Sequence, residues 1–180
     1  MKGARWAGWA LFGGLALLLA LNLVWIARSW APLTTVATPR GSAAPDVSFA
    51  LLDGGATRVS DGRGRAQVLA FWATWCGPCK TELPGLDRLY ARYGDRARFL
   101  AVSVDGADQG ELVRAFVRAT GLRMPVALDS GAGSQAYHVD TIPQLVIVDG
   151  EGRVSEVFSG VHGEGEVARA IERALERRGG

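Results

Sequence analysis

Cys76 and Cys79 are the only cysteines in the 180-residue chain, and Gly77-Pro78 separates them. Two thiols this close can cycle between a dithiol and a disulfide. The pair follows an apolar run, Val68-Leu69-Ala70-Phe71-Trp72. A strand that turns directly into a helix here would put Cys76 at the helix's exposed N-terminal end. Unpaired backbone N–H groups and the helix dipole favour a thiolate there. Pro78 suits the first turn, where its missing N–H would have gone unpaired anyway. Cys79 lies one turn further on and can attack a mixed disulfide formed at Cys76. Read as half of a zinc site, the pair lacks partners. Structural zinc takes four ligands, there is no second Cys pair, and the only histidines, His138 and His162, are remote in sequence. A purely structural disulfide is disfavoured because so small a loop removes little chain entropy.

The elements that must position this pair follow from periodicity and punctuation. Val47 to Leu52 and Thr57 to Ser60 read as a hairpin around Asp53-Gly54-Gly55. Val68 to Trp72 is apolar without alternation, as a strand covered on both faces should be. Pro78 to Tyr93 reads as a helix with Leu83, Leu86, Leu89, Tyr90 and Tyr93 inward, kinked at Pro84 and ended by Gly94. Arg98 to Val104 is a strand. Glu111 to Thr120 is a helix with Leu112, Phe116 and Val117 inward and Gly121 past its end. Pro125 to Leu128 is a short strand and Gln135 to Val139 a helical turn. Gln144 to Asp149 and Arg153 to Ser159 form a second hairpin across Gly150-Glu151-Gly152, and Glu166 to Arg178 closes the chain as a helix. This order predicts an α/β domain with a mixed central sheet and helices on both faces.

Upstream, Lys2 and Arg5 precede a nearly all-apolar stretch from Trp6 to Ala27, interrupted by Asn22. A bilayer-crossing helix needs about 20 such residues, more than the apolar region of a cleaved signal peptide holds. Trp6, Trp9, Trp25 and Trp30 cluster toward its ends, where amphipathic rings settle at the interface. The expected organisation is a cytoplasmic N-terminus at 1–5, a transmembrane signal-anchor helix at 6–28, a flexible linker at 29–44 rich in Pro, Ser and Thr, and a globular domain at 45–178. Lys2, Arg5 and the α-amine against Arg28 favour an internal N-terminus, which places the domain outside the cytoplasm. The dithiol would then lie beyond the cytosolic reducing pool. Net charge is only +2, so nothing points to a nucleic-acid partner.

The stretch Phe71-Trp72-Ala73-Thr74-Trp75-Cys76-Gly77-Pro78-Cys79-Lys80 resembles a thioredoxin-fold active site. The continuation Thr81-Glu82-Leu83-Pro84, the upstream Ala44-Pro45-Asp46-Val47-Ser48-Phe49 and the downstream Thr141-Ile142-Pro143-Gln144-Leu145-Val146-Ile147-Val148-Asp149 narrow the resemblance. Together they resemble the membrane-anchored TlpA/ResA-like branch over residues 44–178. Three matches in the right order are specific where a lone Cys-x-x-Cys is not.

The resemblance implies a thioredoxin-like fold with an N-terminal hairpin and a central insertion near 105–137. It implies a thiol-disulfide oxidoreductase with Cys76 as nucleophile, Cys79 as resolving thiol and no cofactor beyond their redox-active disulfide. Pro143 matches the family's cis-proline, and Ile142 before it would pair its backbone with a bound substrate strand. Thioredoxins carry an acid in the central strand, where this chain has Ala70. In the TlpA/ResA-like pattern an acid stands instead at the position of Glu82, one turn after Cys79, to exchange the resolving thiol's proton. Its alternative is a solvated Glu that suits a first helical turn. Trp75 is either the apolar rim beside Cys76 or a packing residue, and Lys80 either assists the thiolate or is solvated.

The expected function is extracytoplasmic reduction of disulfides in exported proteins, at the inner or plasma membrane, with apocytochrome c or copper-assembly proteins as clients. A transmembrane thiol carrier would supply the electrons. One rival is a thiol peroxidase of peroxiredoxin type, disfavoured because Ala73 stands where a Thr precedes the peroxidatic cysteine. Another is a non-catalytic copper-binding assembly module, which would use a wider cysteine spacing and a His.

Overall fold

A computed structural model of the chain describes residues 18–23 and 38–177. The two regions belong to separate compact units, divided between Thr35 and Val36. In the first, residues 18–23 are helical, and Asn22 donates its side-chain amide to the Leu18 carbonyl at 3.2 Å. No described helix is long and apolar enough to cross a membrane. The rest of the expected 6–28 span lies outside the described residues.

The second unit is a seven-stranded mixed sheet. Its elements run β1 (Ser48–Leu51), β2 (Ala56–Arg58), a 3-10 turn (Val59–Gly62), β3 (Ala66–Trp72), α1 (Gly77–Tyr93) and β4 (Ala97–Ser103). There follow α2 (Gly110–Thr120), β5 (Val126–Leu128), α3 (Ala132–Ala136), β6 (Gln144–Val148), β7 (Val154–Ser159) and α4 (Glu164–Glu176). Across the sheet the order is β2-β1-β5-β4-β3-β6-β7. β3 pairs in parallel with β4 and antiparallel with β6. Its burial on both faces explains its unbroken apolar run.

Strand alternation sends Val68, Ala70 and Trp72 into one core and Leu69 and Phe71 into the other. The first core takes Leu83, Leu86 and Leu89 of α1, Val113 of α2, and Val167 and Ile171 of α4. The second holds Phe49, Val59, Leu100, Tyr137 and Val146, with Ala136 of α3 packed against it. Helices therefore occupy both faces, but the three long ones share one of them.

Several boundaries differ from the sequence reading. Leu112 is 50% exposed and Val113 is fully buried. The inward stripe of α2 is thus Val113, Phe116 and Val117, because the i, i+3, i+4 face begins one residue later. α3 starts at Ala132 because Asp129 accepts the Gly133 and Ser134 N–H groups at 2.8 Å each. The second strand of the first hairpin stops at Arg58, where Asp61 accepts the Arg58 N–H at 2.7 Å and closes a 3-10 turn.

The expected linker also ends early. Gly41 and Ala44 donate to the Val154 and Gly152 carbonyls at 2.7 and 2.8 Å, and Val154 donates to Ser42 at 2.9 Å. An edge strand leaves such groups open, and residues 41–44 fill them. The folded unit therefore begins upstream of residue 45.

Candidate active site

β3 delivers the chain into a turn at Ala73-Thr74-Trp75, and α1 begins directly after Cys76. Asp105, just beyond the adjacent β4, holds this turn. Its carboxylate accepts the Thr74 N–H at 2.9 Å, the Thr74 hydroxyl at 2.6 Å and the Ser103 hydroxyl at 2.7 Å. The Cys76 N–H donates to the Ala73 carbonyl at 3.1 Å. Nothing in the sequence marked Asp105, because it lies 31 residues from its partner.

Cys76 caps α1. Its sulfur accepts the Cys79 N–H at 3.1 Å, and Pro78 sits in the first turn. The same donor would stabilise a thiolate once the pair is reduced. Cys76 and Cys79 are joined as a disulfide, with Cα atoms 5.3 Å apart. Cys79 is fully buried and Cys76 keeps 4% exposure. Cys76 is thus the outer sulfur, though far less open than a bare helix end suggests, because the segment leading into β6 lies against it.

That segment contains the Ile142–Pro143 bond, which is cis and immediately precedes β6. The Ile142 carbonyl oxygen lies 3.9 Å from the Cys76 sulfur. Pro143 is buried and Ile142 half-buried. Trp75 is 69% exposed beside Cys76, so it is no packing residue. Lys80 places its ammonium 5.9 Å from the centre of the Phe116 ring, on the α2 side of the helix.

Glu82 is buried, with 6% exposure, which rules out the solvated alternative. It follows Cys79 by one turn of α1. Its carboxylate accepts the His162 backbone N–H at 3.0 Å. Burial raises its pKa, and the His162 N–H and the charge of the His162 side chain offset part of that rise. The central-strand position Ala70 is buried in the core beneath. His138 is exposed at a turn, with a φ of 49°. No group of three potential metal-ligating side chains occurs among the described residues.

An oxidised Cys-x-x-Cys at a helix start, facing a cis-proline across a mixed sheet, has close counterparts. The AhpC/TSA family model matches residues 40–157. The thiol-disulfide oxidoreductase ResA of Geobacillus kaustophilus is 32% identical over 160 residues, 88% of this chain and 90% of that protein. The chain belongs to the AhpC/TSA family, as a ResA-like thiol-disulfide oxidoreductase. The thioredoxin-like protein YneN of Bacillus subtilis is 31% identical over 138 residues, 76% of this chain and 81% of its own length. Among solved structures, a thioredoxin-family thiol:disulfide interchange protein from Chlorobium tepidum matches with a TM-score of 0.67 at 26% identity. It covers 76% of this chain and 98% of its own. The ResA-like fold is thus thioredoxin-like, and its chemistry is exchange between thiols and disulfides through a redox-active cysteine pair.

Proposed function

We propose that this oxidoreductase is held in the inner or plasma membrane by residues 6–28 and works on its outer side, reducing disulfides of exported proteins. Residues 1–5 would remain cytoplasmic. The apolar length, the flanking tryptophans and the basic residues before the span support this orientation. The thioredoxin-like Gly77-Pro78 dipeptide supports the reducing direction. The clients would be apocytochrome c haem-site cysteines or cysteines of copper-assembly proteins, and a transmembrane thiol carrier would return the electrons.

In this reading the Cys76 thiolate attacks one sulfur of a client disulfide and releases the other as a thiolate. Cys79, freed of its proton by Glu82, then attacks Cys76 in the mixed disulfide. The Cys76–Cys79 bond forms, the client leaves as a dithiol, and two electrons have passed to it. Trp75, Ile142 and Pro143 would form the surface on which the client strand lies. The observation that carries the reading is the juxtaposition of the outer sulfur, Cys76, with the Ile142 carbonyl at 3.9 Å. A client backbone paired there lies beside the attacking atom.

The test is trapping in cells. Cys79→Ser should accumulate mixed disulfides with exported clients, and Cys76→Ser should not. Adducts on non-reducing gels identify the clients. Equal trapping by both variants would reverse the roles of attacker and resolver. Turnover of hydroperoxide in place of any trapped client would favour the peroxidase rival.

A further inference from the structure

The turn after β7 joins the two halves of the site. Gly160, with a φ of 87° that suits glycine, donates its N–H to the Pro143 carbonyl at 2.8 Å. The Gly160 carbonyl lies 2.8 Å from His162 Nδ1. A carbonyl oxygen can only accept, so this bond puts the ring hydrogen on Nδ1. The imidazole also packs on Phe158, with ring centres 4.8 Å apart. The His162 backbone N–H then reaches Glu82 at 3.0 Å. A continuous chain of contacts thus runs from the cis-proline to the buried carboxylate one helical turn after Cys79.

We propose that His162 is a positioning residue for disulfide exchange: its imidazole braces the 160–163 turn so that its own backbone N–H holds the Glu82 carboxylate. The proposal rests on the reading that Glu82 handles the Cys79 proton. Donation to a carboxylate favours its charged form and opposes burial. Without the brace the N–H is free to swing away. The carboxyl then keeps its proton to higher pH, and its oxygens lose the contact that orients them for the Cys79 proton. Five charged groups face the cleft of about 420 Å³ that His162 helps to line. Arg40 comes from the leading segment, Glu156 from β7, and Glu166, Arg169 and Arg173 from α4. Arg40 and Arg173 pair with Glu156.

The experiment uses the full chain in detergent, with ¹³C-labelled glutamate and a disulfide-linked model peptide as probe. His162→Ala should move the Glu82 carboxyl titration midpoint upward. It should slow peptide reduction at neutral pH by about tenfold, a part of the roughly 100-fold or more that a positioned acid–base group contributes. His162→Asn, whose side-chain amide can donate in place of Nδ1, should restore both. In a Glu82→Gln background, His162→Ala should slow the reaction no further. An unmoved midpoint, or the same rate loss with and without Glu82, would overturn the proposal. So would a wild-type ¹⁵N spectrum in which Nδ1 bears no hydrogen, a reading that needs no variant to fold. If Glu82→Gln leaves the rate profile unchanged, the proton role of Glu82 fails, and the exchange role of His162 fails with it. The carboxyl midpoint in His162→Ala reports on the brace separately.

Discussion

Glu82 carries its charge against the pull of burial, which raises its pKa above the ordinary glutamate range. The folded state therefore binds a proton more tightly than the unfolded chain does. Stability is then greatest below the unfolded value, about 4.3 for a free glutamate. It is lost as pH rises through the folded midpoint. Glu82→Gln removes that dependence while leaving an oxygen to accept the His162 N–H. Urea denaturation across a pH series should show the variant gaining on wild type from acid toward neutral pH. Parallel curves would mean that burial of Glu82 imposes no electrostatic penalty. Asp105 poses the opposite case, a residue without a sequence signature on which the Thr74 turn depends. Asp105→Ala strands the Thr74 N–H and two hydroxyls, those of Thr74 and Ser103. It should cost about 1–3 kcal/mol in denaturation and slow exchange at Cys76, whereas Asp105→Asn should lose less of both.

Among the elements, α1 does the most with the least ambiguity. It starts where the Cys76 sulfur takes the Cys79 N–H, and its inward face fills the core beside β3. Pro84 sits inside it without ending it. β7 depends on a segment that composition alone assigns to a linker. Residues 41–44 make three backbone bonds of 2.7 to 2.9 Å along its edge, two with Val154 and one with Gly152 in the turn before it. At about 1 kcal/mol net for each bond, a chain starting at residue 45 should be roughly 2–4 kcal/mol less stable than one starting at Val36. Thermal or urea unfolding of the two truncations compares them directly. Equal stability would return these residues to a passive tether.

For the whole molecule, the second unit holds every residue that the disulfide chemistry invokes, and the apolar stretch lies in the first. The two should be separable. The full chain is expected in the membrane fraction, resistant to alkaline carbonate. A chain starting at Val36 is expected to be soluble and to reduce a model disulfide at the full-chain rate. Full-length protein in the soluble fraction would overturn the anchor. An inactive Val36 truncation would mean that the first unit contributes to the site.

The sequence by itself determined whatever depends on neighbours along the chain. The dithiol spacing, the strand-to-helix turn, Pro78 in the first helical turn and the apolar run of β3 are local patterns, and each was legible as such. So were the hairpins and most helix positions. The family motifs brought Pro143 and Glu82 to notice, but as positions, with no account of their surroundings. Tertiary structure alone decided those surroundings. Glu82 is buried and held by a residue 80 positions away. Thr74 is clamped from 31 positions away, and Arg153 anchors Gly41 across 112. Such bonds leave no periodicity in the sequence, because they arise only when sheet pairing brings distant strand ends to the same edge. The face of α2 belongs with them. Leu112 and Val113 are equally apolar, and only packing against Trp72 and its neighbours chose Val113 for the core.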